Sequence, residues 1–310
     1  MYQIPANKIS MIFDREFEGS IRAVLEQIQS RGAPFSRFHF HADCRDGLVL
    51  LMDDTCHIAL KSENTPMKGN RFEPALAKQV ENPKNLHLRQ LISQHKSVLT
   101  FSVGKGSLAK RGETATEKRA FEPALSLTDR ATMWQLLHAL LNALMGQRAP
   151  LAVLFHATQQ LLEPAEIIAN DRAGLPLKSM INPSTFSSGT KIKGNPLVGF
   201  RAMGSEVILG RRLILHEVNL PLNQSMGLAT KVMQTCYDNG VLMPNGHHTT
   251  EFTGATLDIR QRPPSAANPF GTFELLFSDV HHANENFITA DTLRQSIFGR
   301  KFFQRPVTLS

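Results

Sequence analysis

One short stretch of the chain has residue types and spacing suited to a metal site. In His39-Phe40-His41-Ala42-Asp43-Cys44, alternation on a strand puts His39, His41 and Asp43 on one face, and Cys56-His57 lies on a nearby segment. Two imidazoles and a carboxylate are ligand types of a catalytic zinc, which keeps one position open for water and draws further ligands from other loops. Same-face neighbours on a strand are about 6–7 Å apart. Bringing all three onto one ion therefore requires the chain to bend. The competing reading is a polar, half-exposed strand holding no functional metal, and it is the expectation adopted for this cluster.

Other patterns carry less chemistry. The pairs His247-His248 and His281-His282 are adjacent in sequence, and neighbours on an extended chain point to opposite sides, so neither pair suits chelation. Gly104-Lys105-Gly106-Ser107 follows a strand, as phosphate loops do, but lacks the spacing of a Walker loop. Cys44, Cys56 and Cys236 form no zinc-ribbon pattern and are too few for a disulfide framework. Cytoplasm is the expected compartment, no cofactor is expected, and the acids within Met1–Ser20 argue against a secretory signal.

The chain has 310 residues, with 34 Lys and Arg against 27 Asp and Glu, for a net charge of +7. No apolar run reaches the roughly 20 residues of a membrane span. Positive charge is concentrated in two places. The loop 105–119 holds Lys105, Lys110, Arg111, Lys118 and Arg119 against Glu113 and Glu117. The tail 292–310 holds Arg294, Arg300, Lys301 and Arg305 with no acid, interleaved with Phe298, Phe302 and Phe303. These segments read either as solvated loops or as contacts for an anion or a nucleic acid.

The elements that must position these residues divide the chain in two. Residues 1–181 read as a mixed α/β domain. A helix is expected over Asp14–Arg31 from the spacing of Phe17, Ile21, Val24 and Ile28. Strands follow at 35–41, 47–52 and 57–61, then a helix through Leu88 and Ile92 and a strand over 98–103. The stretch 130–145 is an apolar helix with a narrow polar stripe, predicted to be the most buried in the chain, and a strand over 151–156 comes next. Phe72-Glu-Pro-Ala-Leu76 recurs as Phe121-Glu-Pro-Ala-Leu125, either by duplication or because Glu-Pro suits a helix start. A linker is expected at 182–196. Residues 197–291 read as a smaller ββαββ module: strands 197–203 and 207–218, helix 222–239, strands 256–260 and 272–277. The basic-aromatic tail closes the chain. The fold class is α+β.

Two resemblances rest on quoted residues. His39–Cys44 resembles the His-x-His-x-Asp-His signature of metallo-β-lactamase-type hydrolases, with Cys44 in place of the last His. That implies His39 and His41 on one metal and Asp43 on a second. More of the chain is similar to the bacterial domain-of-unknown-function family 4261. The carriers are Gln94–Leu99 before a strand, the long apolar helix, Leu151–Phe155, Gly199-Phe-Arg-Ala-Met-Gly-Ser-Glu206, and the turn Gly240–Gly246. This resemblance spans roughly 55–262. The family is associated with one glutamate, which Glu206 or Glu217 would match. A lone carboxylate lacks the second positioned group of acid–base catalysis, and a backbone cap is its simpler role.

These observations lead to a non-enzymatic binding or interaction protein with a protein partner or self-association. A metal-dependent hydrolase using His39, His41 and Asp43 is the alternative, and nucleic-acid binding through loop 105–119 and tail 292–310 is the third reading.

Overall fold

The computed structural model describes residues 8–30, 32, 36, 39–41, 48–52, 56–77, 83–105, 126–171, 180–192, 194–249, 256–265, 268 and 270–277. The chain is α+β, and packing divides it into two compact units: Met1–Leu125 with Asp129–Asn182, and Ser126–Thr128 with Pro183–Ser310. Among the described residues no helix is long and apolar enough to cross a membrane.

The first unit is built on β1 (Lys8–Phe13), α1 (Ile21–Gln29), β2 (His39–His41), β3 (Leu48–Met52), β4 (Cys56–Glu63), α2 (Glu73–Ala77), α3 (Pro83–Ser93), β5 (Ser97–Lys105), α4 (Leu127–Gln147), β6 (Ala152–Phe155), β7 (Gln160–Leu162) and α5 (Pro164–Asp171). Its strands form one sheet in the order β2-β3-β4-β5-β1-β6-β7, and every pairing is antiparallel. On one face Ile12, Ala152, Leu154 and Leu161 pack with Phe72, Ala75 and Leu76 around α2 and with Leu88 and Ile92 of α3. The opposite face carries Met11, Phe13, Leu99 and Phe101, all fully buried. β1 is central and closed on both faces. Such a strand shows a continuous apolar run rather than alternation, which is why Lys8–Phe13 carries little strand signal.

Several expected elements have different limits. The first helix starts at Ile21 rather than Asp14, because the Ser20 hydroxyl accepts the Ala23 N–H and caps it there. The helix expected at 130–145 extends over Leu127–Gln147, and Leu137 and Leu141 within it are inaccessible. Glu73 and Pro74 of the first pentapeptide open α2, and Pro164 opens α5. The second copy, 121–125, lies outside the described residues.

The second unit comprises β8 (Asn182–Phe186), β9 (Lys191–Ile192), β10 (Asn195–Pro196), β11 (Val198–Met203), α6 (Ser205–Leu209), β12 (Arg212–Val218), α7 (Leu222–Asn239), β13 (Gly246–Thr249), β14 (Thr256–Arg262) and β15 (Thr272–Phe277). Its main sheet runs β13-β14-β15-β12-β11-β8, with β12 and β15 parallel and β11–β12, β13–β14 and β14–β15 antiparallel. Two expectations are corrected. Residues 182–196 are not a bare linker: Asn182–Phe186 is an edge strand, where Pro183 is tolerated because an edge has unpaired N–H positions. The strand expected over 207–218 is split, since Gly204 (φ +97°) and Gly210 (φ +66°) bound the short helix α6 before β12 begins. The second unit therefore has more than the ββαββ order, gaining β8, β9, β10, α6 and β13.

Leu141 is predicted to carry a large share of the first unit's core. Leu141→Ala should cost about 2–5 kcal/mol in a urea titration, through lost burial and the cavity left behind; a cost below about 1 kcal/mol would mean the site collapses around the smaller side chain.

Candidate binding surface

Period-two alternation sorts the second sheet into two faces. Leu213, Leu215, Leu257, Ile259, Phe273, Leu275 and Phe277 are buried on one face. The other face is read from strand register. Arg212 of β12 pairs with Thr272 of β15, which pairs with Arg262 of β14. One step along, Arg201 of β11 pairs with Ile214, Ile214 with Glu274, and Glu274 with Arg260. At the far edge Asp258 pairs with His247 of β13. Arginines, histidines and acids thus share one surface.

Glu274 lies beneath that surface, buried, with three partners. Thr272 Oγ1 donates to Oε1 at 2.7 Å and His216 Nε2 donates to Oε2 at 3.1 Å, while Arg262 forms an ion pair with Oε1, its Nε 2.8 Å away. Burial pushes its pKa up, but the bonds from Thr272 and His216 and the Arg262 charge outweigh burial and hold the carboxyl below its ordinary range. Arg260 Nε meets Asp258 Oδ2 at 2.7 Å. Arg201 stacks on Phe186 at 4.8 Å and Arg212 on Phe270 at 5.9 Å.

The two glutamates singled out from the sequence have structural partners. Glu206 is buried; its Oε2 accepts the Gly204 N–H at 2.9 Å and its Oε1 accepts Arg212 Nε–H at 2.6 Å. It caps α6 and anchors Arg212. Ser205 next to it donates to Ala202 O and accepts the Leu213 N–H, closing the same turn. Gly199 opens this segment, and a Cβ there would come within 2.6 Å of the Phe186 ring and 2.7 Å of Leu215 O. Glu217 accepts the N–H and the hydroxyl of Ser188.

The remaining sequence candidates do not join this surface. His39 and His41 are in β2, where backbone register sets His39 opposite Met52, Met52 opposite His57 and His57 opposite Gly104. The buried His57 ring covers Gly104 so closely that a Cβ would stand 2.6 Å from it, which gives that glycine a packing role rather than a phosphate one. Lys105 ends β5. Asp43, Lys110, Arg111, Arg300, Lys301 and Arg305 lie outside the described residues. Among the described residues no three His, Cys, Asp or Glu side chains are grouped to hold an ion. His247 faces Asp258 at 3.9 Å, whereas His248 is buried and donates from Nε2 to Pro244 O. Cys236 is a core residue whose thiol burial pushes up to about 11.

The first unit adds one polar group that the sequence left unread. Ser10 Oγ lies 2.8 Å from both Thr100 Oγ1 and His156 Nε2. Burial, then the charges of Lys8 and Arg71, lower the His156 pKa to about 4. A nucleophilic serine must be reachable and its base oriented by a third group. Ser10 is fully inaccessible, so this trio reads as a satisfied polar seam within the sheet.

Comparison with protein-family models, with curated proteins and with solved structures finds no match.

The sequence signal for the surface was present but unread: Asp258, Arg260 and Arg262 alternate with Leu257 and Ile259, and Glu274 interrupts an apolar strand. Pairing them requires the register.

Two pH dependences follow. His156 is depressed from 6.5 to about 4, so its neutral form adds stability above pH 6.5 that is lost as pH falls towards 4, about 3 kcal/mol in all. Urea titrations at pH 7 and pH 4 should show this loss, and His156→Gln should remove most of it. Glu274 is also depressed, so its contribution is present above the ordinary glutamate range and lost as pH falls through the lowered value. Glu274→Gln should therefore destabilise the protein at pH 7 and approach wild type in acid; a gap that stays constant with pH would contradict the charge-based account.

Proposed function

We propose that the protein is a non-catalytic binding protein whose second unit docks an acidic protein partner on the polar face of its sheet. The observation that carries this reading is how charge is layered there. The acids lie underneath: the side chains of Glu206, Glu274 and Asp258 are 2%, 7% and 13% exposed. The bases lie on top: Arg260 and Arg262 are 55% and 65% exposed, and His216 and His247 are 42% and 63% exposed. An approaching partner meets guanidinium and imidazole groups, and the carboxylates behave as a buried foundation. Arginine suits this task because its planar fork pairs with carboxylate in a fixed geometry.

A protein partner fits better than a nucleic acid. Four arginines (201, 212, 260, 262) stand against three acids (206, 258, 274), an excess of 4 − 3 = +1 with both histidines neutral. Polyphosphate binding relies on a larger cationic excess that displaces condensed counterions. A few acidic side chains need only well-placed donors.

Fluorescence anisotropy with a labelled decaglutamate peptide and a single-stranded oligonucleotide of similar length tests this. At low salt the peptide should bind, should weaken as salt rises, and should lose about tenfold or more in affinity to Arg260→Gln/Arg262→Gln, two charged hydrogen-bonding groups being removed. Peptide binding unchanged by the double variant, or an oligonucleotide bound more tightly than the peptide, would overturn the reading.

A further inference from the structure

We infer that Arg260 and Arg262 form a two-pronged receptor for an extended acidic segment with carboxylates at alternate residues; this rests on the acidic-partner reading and names its motif. The argument begins with which guanidinium nitrogen is used. Arg260 is held through Nε by Asp258 Oδ2 at 2.7 Å, and Arg262 through Nε by Glu274 Oε1 at 2.8 Å. Asp258 accepts the Arg260 Nε–H, and Glu274 stands as an ion-pair partner against the Nε end of Arg262. The terminal Nη1 and Nη2 groups make no hydrogen bond to the described residues, and with the side chains 55% and 65% exposed each guanidinium has a pair of N–H donors to offer a ligand.

The foundations are fixed. Glu274 is also held by Thr272 and His216, so Arg262 is anchored to a carboxylate that cannot swing. Asp258 is on the same strand as Arg260 and is mostly buried. Anchoring of this kind removes rotamer freedom before binding and lowers the ordering cost that a long flexible side chain otherwise incurs.

Spacing selects the ligand. Arg260 and Arg262 are two residues apart on β14 and alternate with buried Ile259, so both side chains leave the strand on one face, from backbone positions about 7 Å apart. Same-face side chains of an extended peptide repeat at the same interval of about 7 Å. A segment with Glu or Asp at i and i+2, lying along β14, can therefore place one carboxylate on each fork. Adjacent acids on an extended segment point to opposite sides and can engage only one fork at a time.

The test compares two labelled dodecapeptides of identical composition, four glutamates and eight threonines: an alternating peptide with glutamates at positions 3, 5, 9 and 11, and an adjacent peptide with glutamates at positions 3, 4, 9 and 10, which has no two acids at i and i+2. The wild-type protein should bind the alternating peptide about tenfold more tightly, one extra bidentate pair being formed. Arg260→Lys/Arg262→Lys keeps charge and removes both forks, so it should bring the two peptides to equal affinity, with circular dichroism confirming that the variant remains folded. Equal binding of both peptides by wild type would overturn the spacing inference and leave the acidic-partner reading standing. Binding of neither peptide would overturn both. A preference for the alternating peptide that persists in the lysine variant would overturn the assignment to these two forks.

Discussion

A carboxylate taken out of water must be met by donors or it will not stay charged, and the second unit is organised around two such groups. Glu274 is met by a hydroxyl, an imidazole and a guanidinium, and Glu206 by a backbone N–H and a guanidinium. Each demand reaches across the sheet. Glu274 on β15 draws on β12 and β14, so the strand order and register that align Arg262, Thr272 and Arg212 are also what satisfy it. Glu206 couples the short helix α6 to the first residue of β12. Removing either acid leaves arginines unanchored; removing an arginine leaves a buried charge short of a partner, the more costly of the two.

That constraint produces the surface. Because the acids are the more buried groups and meet the arginines at Nε, the arginines are held from beneath, and Arg260 and Arg262 stay more than half exposed. A sheet supplies the flat platform and the repeat distance, while the apolar face beneath keeps the strands in register. The first unit is different. Its polar seam of Ser10, Thr100 and His156 is internally satisfied, and both faces of strand Lys8–Phe13 are closed.

Much of this architecture was legible in the sequence where a single period dominates. Helix 222–239 is bounded as the Leu222, Met226, Ala229, Met233 stripe and the Asn239-Gly240 stop indicate, and strand 272–277 keeps its limits. The long apolar helix, with Leu137 and Leu141 at its core, was equally plain. Lys8–Phe13 was hidden because double burial erases alternation, and Ser205–Leu209 because two glycines with positive φ switch the chain within five residues. The surface was hidden for a different reason. Arg262 and Glu274 are twelve residues apart, and nothing local to either says that β14 and β15 will set them side by side. Glu206 and Glu217 were visible as candidates, and the simpler role weighed for them, acceptors of backbone N–H groups, matches the bonds that they make.

The layered charge and its outward forks can be observed directly by arginine side-chain NMR. With selectively labelled arginine, a titration with an acidic peptide should shift the Nη–Hη resonances of Arg260 and Arg262 most and leave the Nε–Hε resonance of Arg260, already bonded to Asp258, nearly fixed. Shifts confined to arginines outside the second sheet, or Nε–Hε signals that move first and broaden as the anchors release, would contradict the account.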